Sequence, residues 1–116
     1  MAFEGSCHCG AVAFVVQADL PVEAMSCNCS HCRRKGFLLA FFPAPQFELT
    51  GGEGELQTYT FNRHKLAHRF CRTCGVQPFA EGIGPDGSDT RGLNRRCVPA
   101  ADLSALRVRE VDGASL

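Results

Sequence analysis

The sequence predicts a mainly β fold in one small domain, and three observations predict it. Apolar and β-branched stretches recur along the chain, turn-rich pieces separate them, and 116 residues is one ordinary domain, too little for two. Residues 11–17 (AVAFVVQ) are apolar and β-branched enough for a buried strand. Residues 37–42, 56–61 and 65–70 read the same way, with a turn at residues 50–54 (TGGEG). Along 56–61, Leu56, Thr58 and Thr60 alternate with Gln57, Tyr59 and Phe61. Neither set is cleanly polar, so both faces of that strand are expected to be partly covered. Residues 82–92, which contain Pro85, Asp86, Gly87, Ser88 and Asp89, read as an exposed loop. Residues 101–106 suggest a short helical turn before a last strand at 107–111. Apart from paired cysteines there is no internal repeat and no linker, so residues 1–116 are read as a single domain.

Composition narrows the class. An apolar fraction of 45% and a charged fraction of 21% are those of a soluble globular protein, and nine Phe against one Tyr and no Trp point to a phenylalanine-filled interior. Lys plus Arg equals Asp plus Glu at 12 each, so no net charge exists to hold a polyanion. With a single Tyr as well, a nucleic-acid-binding sheet is disfavoured. Met1, Ala2, Phe3, Glu4 and Gly5 run directly into cysteines without a charged leader and apolar stretch, so no export signal is read. The longest apolar run, 36–45, is broken by prolines and falls short of the ~20 residues of a membrane helix. The expectation is a soluble, cytoplasmic protein with no membrane partner.

The eight cysteines carry the chemistry. They fall in tight groups, Cys7 and Cys9, then Cys27, Cys29 and Cys32, then Cys71 and Cys74, with Cys97 alone. Disulfide frameworks spread their cysteines and belong to exported proteins, so thiolate ligation of a metal is favoured. In an extended strand Cys7 and Cys9 would face the same way and reach one ion, with His8 pointing away. Cys71 and Cys74 have the spacing of a tight zinc knuckle, whose closing residue often needs a positive φ that Gly75 adopts at little cost. Gly10 closes the first pair in the same way. Two pairs make a plausible tetrahedral four-cysteine site that clamps the start of the chain to its middle. Such a site is structural; a lone CxxC could instead be a redox pair, but the matched second pair favours metal.

The middle group leaves a tetrahedral ion one ligand short. Three protein ligands with one open position is the arrangement of catalytic zinc. His31 lies inside the motif, poorly placed to bend back onto the ion its neighbours hold. His64, His68 or Cys97 could arrive from elsewhere and close the shell, and the residues alone leave that open. Each histidine taken singly is more often solvated or hydrogen-bonded than a ligand, and Cys97, followed by Val98 and Pro99, reads as a buried core thiol. Arg33, Arg34 and Lys35 follow the triplet directly and can offset the negative charge of three thiolates or meet a carboxylate-bearing ligand.

The order CxCG, then CxCxxC followed by Arg, then CxxCG preceded by Phe resembles the glutathione-dependent formaldehyde-activating enzyme family, which includes centromere protein V. The resemblance runs from Gly5 to Gly75 by motif and more loosely to Asp102 and Leu103. It implies a β-tent fold with two zinc ions per chain, a structural one at Cys7, Cys9, Cys71 and Cys74 and a catalytic one at Cys27, Cys29 and Cys32. The implied reaction joins glutathione and formaldehyde into S-(hydroxymethyl)glutathione, the reverse of a carbon-sulfur lyase step. The partner is then a small thiol or thiol adduct. Two function classes stay open: a zinc lyase acting on a small thiol adduct, which requires an accessible three-cysteine zinc beside a pocket, and a noncatalytic zinc-stapled binding module.

Overall fold

The computed structural model describes residues 2–61, 66–84, 86–99 and 103–115. Among the described residues ten strands carry the fold: β1 (Phe3–Ser6), β2 (Ala13–Val16), β3 (Glu23–Cys27), β4 (Leu39–Pro43), β5 (Phe47–Gly51), β6 (Leu56–Tyr59), β7 (Ala67–Cys71), β8 (Phe79–Ile83), β9 (Asp89–Asn94) and β10 (Arg107–Val111). A single α-helix among the described residues, α1 (Ser30–Lys35), follows β3, and short 3-10 turns join several strands. The strands form a three-stranded sheet in the order β1-β2-β5 and a seven-stranded sheet in the order β10-β3-β4-β9-β8-β7-β6. All pairings are antiparallel except β10 with β3, which is parallel. The radius of gyration, 13.3 Å, is that of one compact domain of this length.

Alternation explains how the sheets stack. On β2, Phe14 and Val16 are buried while Ala13 and Val15 are half-buried; on β4, Ala40 and Phe42 turn inward and Phe41 outward. Phe14 and Val16 from the small sheet meet Ala40, Phe42 and Leu93 from the large one, with Cys97 and Val98 filling the end of this core. Phe3 tilts onto Phe42 and Phe47 stacks on Phe14, so phenylalanine does fill the interior. A second, smaller core joins Cys7, Val12 and Cys71 and is flanked by Leu49, Leu56 and Val76.

The strands expected at 11–17, 37–42, 56–61 and 107–111 are present as β2, β4, β6 and β10, shifted by up to two residues at their ends. That expected at 65–70 is β7, which runs one residue further to Cys71; Lys65 lies outside the described residues. A 3-10 turn at Leu103–Ala105 stands where a helical turn was expected, and residues 101 and 102 lie outside the described residues. The loop expected at 82–92 is instead a β-hairpin. β8 continues to Ile83, β9 starts at Asp89, and Gly84, Asp86, Gly87 and Ser88 make the turn, closed by Gly84 N–H donating to Ser88 O at 2.8 Å. The polar composition of β9 comes from charges satisfied across strands: Glu81, directly opposite Arg91, pairs with it at 3.2 Å and with Arg69 on β7. Strands β1, β3, β5 and β8 were not anticipated, because four or five residues of mixed character leave little periodicity to detect.

Candidate metal centres

Two turns of similar construction bring the first and third cysteine groups together. After β1, Cys7 N–H donates to Val12 O at 3.0 Å and Gly10 N–H to Cys7 O at 3.2 Å; after β7, Cys71 N–H donates to Val76 O at 3.0 Å and Gly75 N–H to Cys71 O at 2.8 Å. Gly10 and Gly75 close the turns with φ of 81° and 78°, the left-handed region where a Cβ is strained. Cys7 and Cys9 therefore converge through a turn, and the extended geometry expected for them does not hold. The ligand atoms of Cys7, Cys9, Cys71 and Cys74 all lie within 4.8 Å of one another. Cys9 Sγ stands 3.7 Å from both Cys7 Sγ and Cys71 Sγ. Thiolates at zinc's ~2.3 Å bond length, arranged tetrahedrally, stand about 3.8 Å apart, so this cage fits zinc.

Backbone N–H groups prepare the sulfurs for negative charge. Val12 N–H donates to Cys7 Sγ at 3.3 Å and Thr73 N–H to Cys71 Sγ at 3.4 Å. Burial would raise the Cys74 thiol, yet the N–H groups of Cys9 and Val76 and the thiols of Cys7 and Cys71 hold it down to about 6. The Ala11 N–H favours the Cys9 thiolate, but lost solvation and the surrounding Cys71, Cys7 and Cys74 sulfurs push that thiol up to about 11. Such unequal sharing of protons among four close thiols is what a divalent cation relieves by deprotonating all of them.

The middle group is built differently. Cys27 ends β3, and Cys29 is the N-cap of α1, its Sγ accepting from Cys32 N–H at 3.3 Å. Gly36 ends the helix in the left-handed region (φ 70°), its N–H donating to Cys32 O at 2.9 Å. This one-and-a-half-turn helix folds Cys32 back toward its neighbours, so the ligand atoms of Cys27, Cys29 and Cys32 also lie within 4.8 Å of one another. Burial tends to raise Cys29, but the Cys32 N–H and the thiols of Cys32 and Cys27 outweigh it and keep that thiol below its ordinary value. Burial, then the neighbouring sulfurs of Cys29 and Cys27, push Cys32 up.

Among the described residues no fourth side chain joins this group. Cys97 is buried in the main core with Sγ 3.8 Å from Gln77 O, and burial together with charge at Cys7 and Cys74 pushes its thiol up to about 11, the signature of an inert core cysteine. His68 is buried with Nδ1 3.3 Å from Gln77 Nε2. His31 packs its ring on His68 at 4.1 Å and on Phe61 at 5.1 Å, away from ligation. His64 lies outside the described residues. Beside the three sulfurs is a cavity of about 440 Å³ lined by Cys27, Cys32, Asn28, Arg33, Glu110 and Asp112, among others. Only Arg33 of the three cations after the triplet lines it: Arg34 turns back to donate to Ser30 O at 2.9 Å and Lys35 lies over the Phe70 ring. Asn28, Glu110 and Asp112 were missed from sequence. Asn28 sits inside the cysteine motif, but nothing in the spacing signals that residues 110–112 return to it.

Residues 2–94 match the model of the glutathione-dependent formaldehyde-activating enzyme family. The chain belongs to that family. A crystal structure of a Rhodobacter sphaeroides protein is 27% identical, with a TM-score of 0.78, and the alignment covers 92% of this chain and 100% of that one. The family match ends at Asn94, so β10 and the residues after it, which complete the cavity wall, lie beyond the matched segment.

Proposed function

We propose that this family member is a zinc-dependent carbon-sulfur lyase-type enzyme that makes or breaks the adduct between a small thiol, such as glutathione, and formaldehyde. The observation that carries the reading is a three-cysteine group that no fourth described side chain joins, beside a cavity of about 440 Å³ lined by Cys27 and Cys32, in contrast to the four-cysteine group. Zinc held by Cys27, Cys29 and Cys32 would supply positive charge that favours the thiolate form of a substrate thiol at neutral pH. Three thiolate ligands blunt that ion as a Lewis acid, so capture of the thiol is a more natural role than activation of the carbonyl.

The chain's own residues do the rest. Arg33, on the cavity wall, is placed to pair with a carboxylate of the thiol substrate and fix its direction of entry. Cys29 and Cys32 are held by N–H donation and helix capping, so their positions need no rearrangement on binding. In the forward reaction the substrate sulfur forms a bond to the formaldehyde carbon, the carbonyl π bond breaks, and the thiol proton finishes on the new hydroxyl oxygen. The four-cysteine group, closed on itself, serves only to hold the fold. A reducing compartment, the cytoplasm, suits seven cysteines committed to metal.

The test combines elemental analysis with exchange spectroscopy. Protein purified under reducing conditions is expected to carry two zinc ions per chain and to accelerate exchange between glutathione, formaldehyde and S-(hydroxymethyl)glutathione, followed by NMR with labelled formaldehyde. Two bound zincs with no acceleration for glutathione or other small thiols would instead favour the noncatalytic binding module.

A further inference from the structure

The segment after β10 returns to the three-cysteine group in a way that neither the cysteine motif nor the family match assigns. β10 runs parallel to β3 with Val111 opposite Cys27, so the chain leaves the sheet beside the first thiol of the triplet. Three contacts then tie residues 111–115 to Asn28, the residue between two of the cysteines. Asn28 N–H donates to Val111 O at 3.2 Å, Asn28 Nδ2 donates to Asp112 Oδ1 at 2.9 Å, and Ala114 N–H donates to Asn28 Oδ1 at 2.9 Å. Both ends of the Asn28 amide are therefore used on the strap, which makes its orientation unambiguous. Ser115 Oγ donates to the other Asp112 oxygen at 2.7 Å and holds that carboxylate in place.

Gly113 lies against the Cys27 sulfur. A Cβ at Gly113 would stand 2.3 Å from Cys27 Sγ and 3.5 Å from Cys29 Cβ. The glycines with positive φ are elsewhere, so backbone conformation does not require glycine here. Space against the Cys27 sulfur does. Any side chain at 113 must displace either the strap, against three hydrogen bonds, or the thiolate, against the other two.

We propose that residues 111–115 are a component of the three-cysteine metal centre, with Gly113 as the positioning residue for the Cys27 thiolate and Asn28 as the clasp that holds Gly113 there. The strap packs against Cys27, while Glu110, Val111 and Asp112 continue as the wall of the cavity that Cys27 and Cys32 also line. This rests on the reading that Cys27, Cys29 and Cys32 hold a metal.

Metal binding itself, rather than turnover, tests it. Wild type, Gly113→Ala and Asn28→Asp are loaded with zinc and titrated against a chelator, then loaded with cobalt and followed by thiolate-to-metal charge-transfer and ligand-field absorption. Asn28→Asp keeps side-chain volume but places a carboxylate against Asp112, opening the clasp from an exposed position. Wild type is expected to hold two ions of distinguishable affinity. Both variants are expected to bind the weaker ion at least ~10-fold less tightly and to shift its cobalt bands, the scale seen when a residue supporting a ligand is altered. The tighter ion, at the four-cysteine group, is expected to be unchanged, which also reports an intact fold. Unchanged affinity and spectrum at the weaker site in Gly113→Ala would overturn the proposal. If that variant does not fold, the same result in Asn28→Asp would overturn it. One ion in wild type would fail the three-cysteine reading itself, which these variants do not address.

Discussion

The two cysteine clusters differ in how far apart in the chain their ligand atoms lie, and on the proposed function that difference separates holding from reacting. The four-cysteine group takes one pair from the turn after β1 and the other from the end of β7 and the turn that follows, buries Cys7 and Cys71 almost completely, and is continuous with a hydrophobic core of Val12, Leu49, Leu56 and Val76. Its sulfurs close on one another. The three-cysteine group is local, carried on the end of one strand and a six-residue helix, and it faces a cavity. A cross-link between distant segments contributes to folding, because the unfolded chain must be gathered to form it; a local cluster with an open side contributes little to folding but can take a further ligand.

The largest effect expected from this contrast is at Cys71. Structural zinc bound to small domains contributes about 10–16 kcal/mol, comparable to or more than the ~5–15 kcal/mol total stability of a domain. Cys71→Ser removes a fully buried ligand from the four-cysteine cage and is expected to leave an unfolded or aggregated chain, seen by loss of the β-sheet circular dichroism signal. A folded Cys71→Ser protein that retains its melting transition would erase the distinction between the clusters.

Cys29→Ser tests the other half. It removes one of three local ligands but leaves a hydroxyl that can cap α1 in place of the sulfur, so little change is expected in chemical denaturation, with the fold kept. Zinc content should fall from two ions to one and thiol-adduct exchange should be lost. A Cys29→Ser chain that does not fold would show that the local group is structural as well.

A smaller effect separates the cations after the triplet. Arg33 lines the cavity whereas Arg34 is bonded to its own helix backbone. A charge-assisted hydrogen bond contributes about 1.5–3 kcal/mol, so Arg33→Met is expected to raise KM for a carboxylate-bearing thiol about tenfold or more, with kcat nearly unchanged. Arg34→Met should change neither. Equal effects of the two would remove the carboxylate role of Arg33.

How much of this was legible in the sequence follows from how local each feature is. The cysteine groups declared themselves, because metal ligation imposes short spacings and glycine closures that survive without any knowledge of the fold. The mainly β class was legible for the same reason, from runs such as AVAFVVQ. The hairpin of β8 and β9 was not: Asp89 and Arg91 read as loop residues until the partner of Arg91 across the sheet, Glu81, is known. Nor was the pairing of the final strand with β3, since parallel pairing of distant segments leaves no short-range pattern. The cavity wall from Glu110 to Asp112 belongs to that second class.

The smallest expected effect concerns the link between the clusters. His68 precedes Cys71 by three residues on β7, and its ring packs on His31, the neighbour of Cys32, so one stack of imidazoles spans from one cysteine group toward the other. Burial, then the charges of His31 and Lys35, hold His68 down to about 4, while Phe61 stacks on its ring and Gln77 meets Nδ1. A buried neutral histidine resists protonation that the unfolded chain accepts freely near its ordinary value of 6.5. Its contribution is therefore full above that value and is lost as pH falls toward the folded value. Replacing it with Phe keeps the ring stack and removes the titration. Between pH 7 and 5.5 the unfolding free energy of wild type is expected to fall by about 1 kcal/mol more than that of His68→Phe. Protons compete with the metal in both proteins, so the difference between them isolates His68. Parallel pH profiles would mean that the imidazole stack opens to solvent readily, and that the two cysteine groups are not joined through a rigid interior at this point.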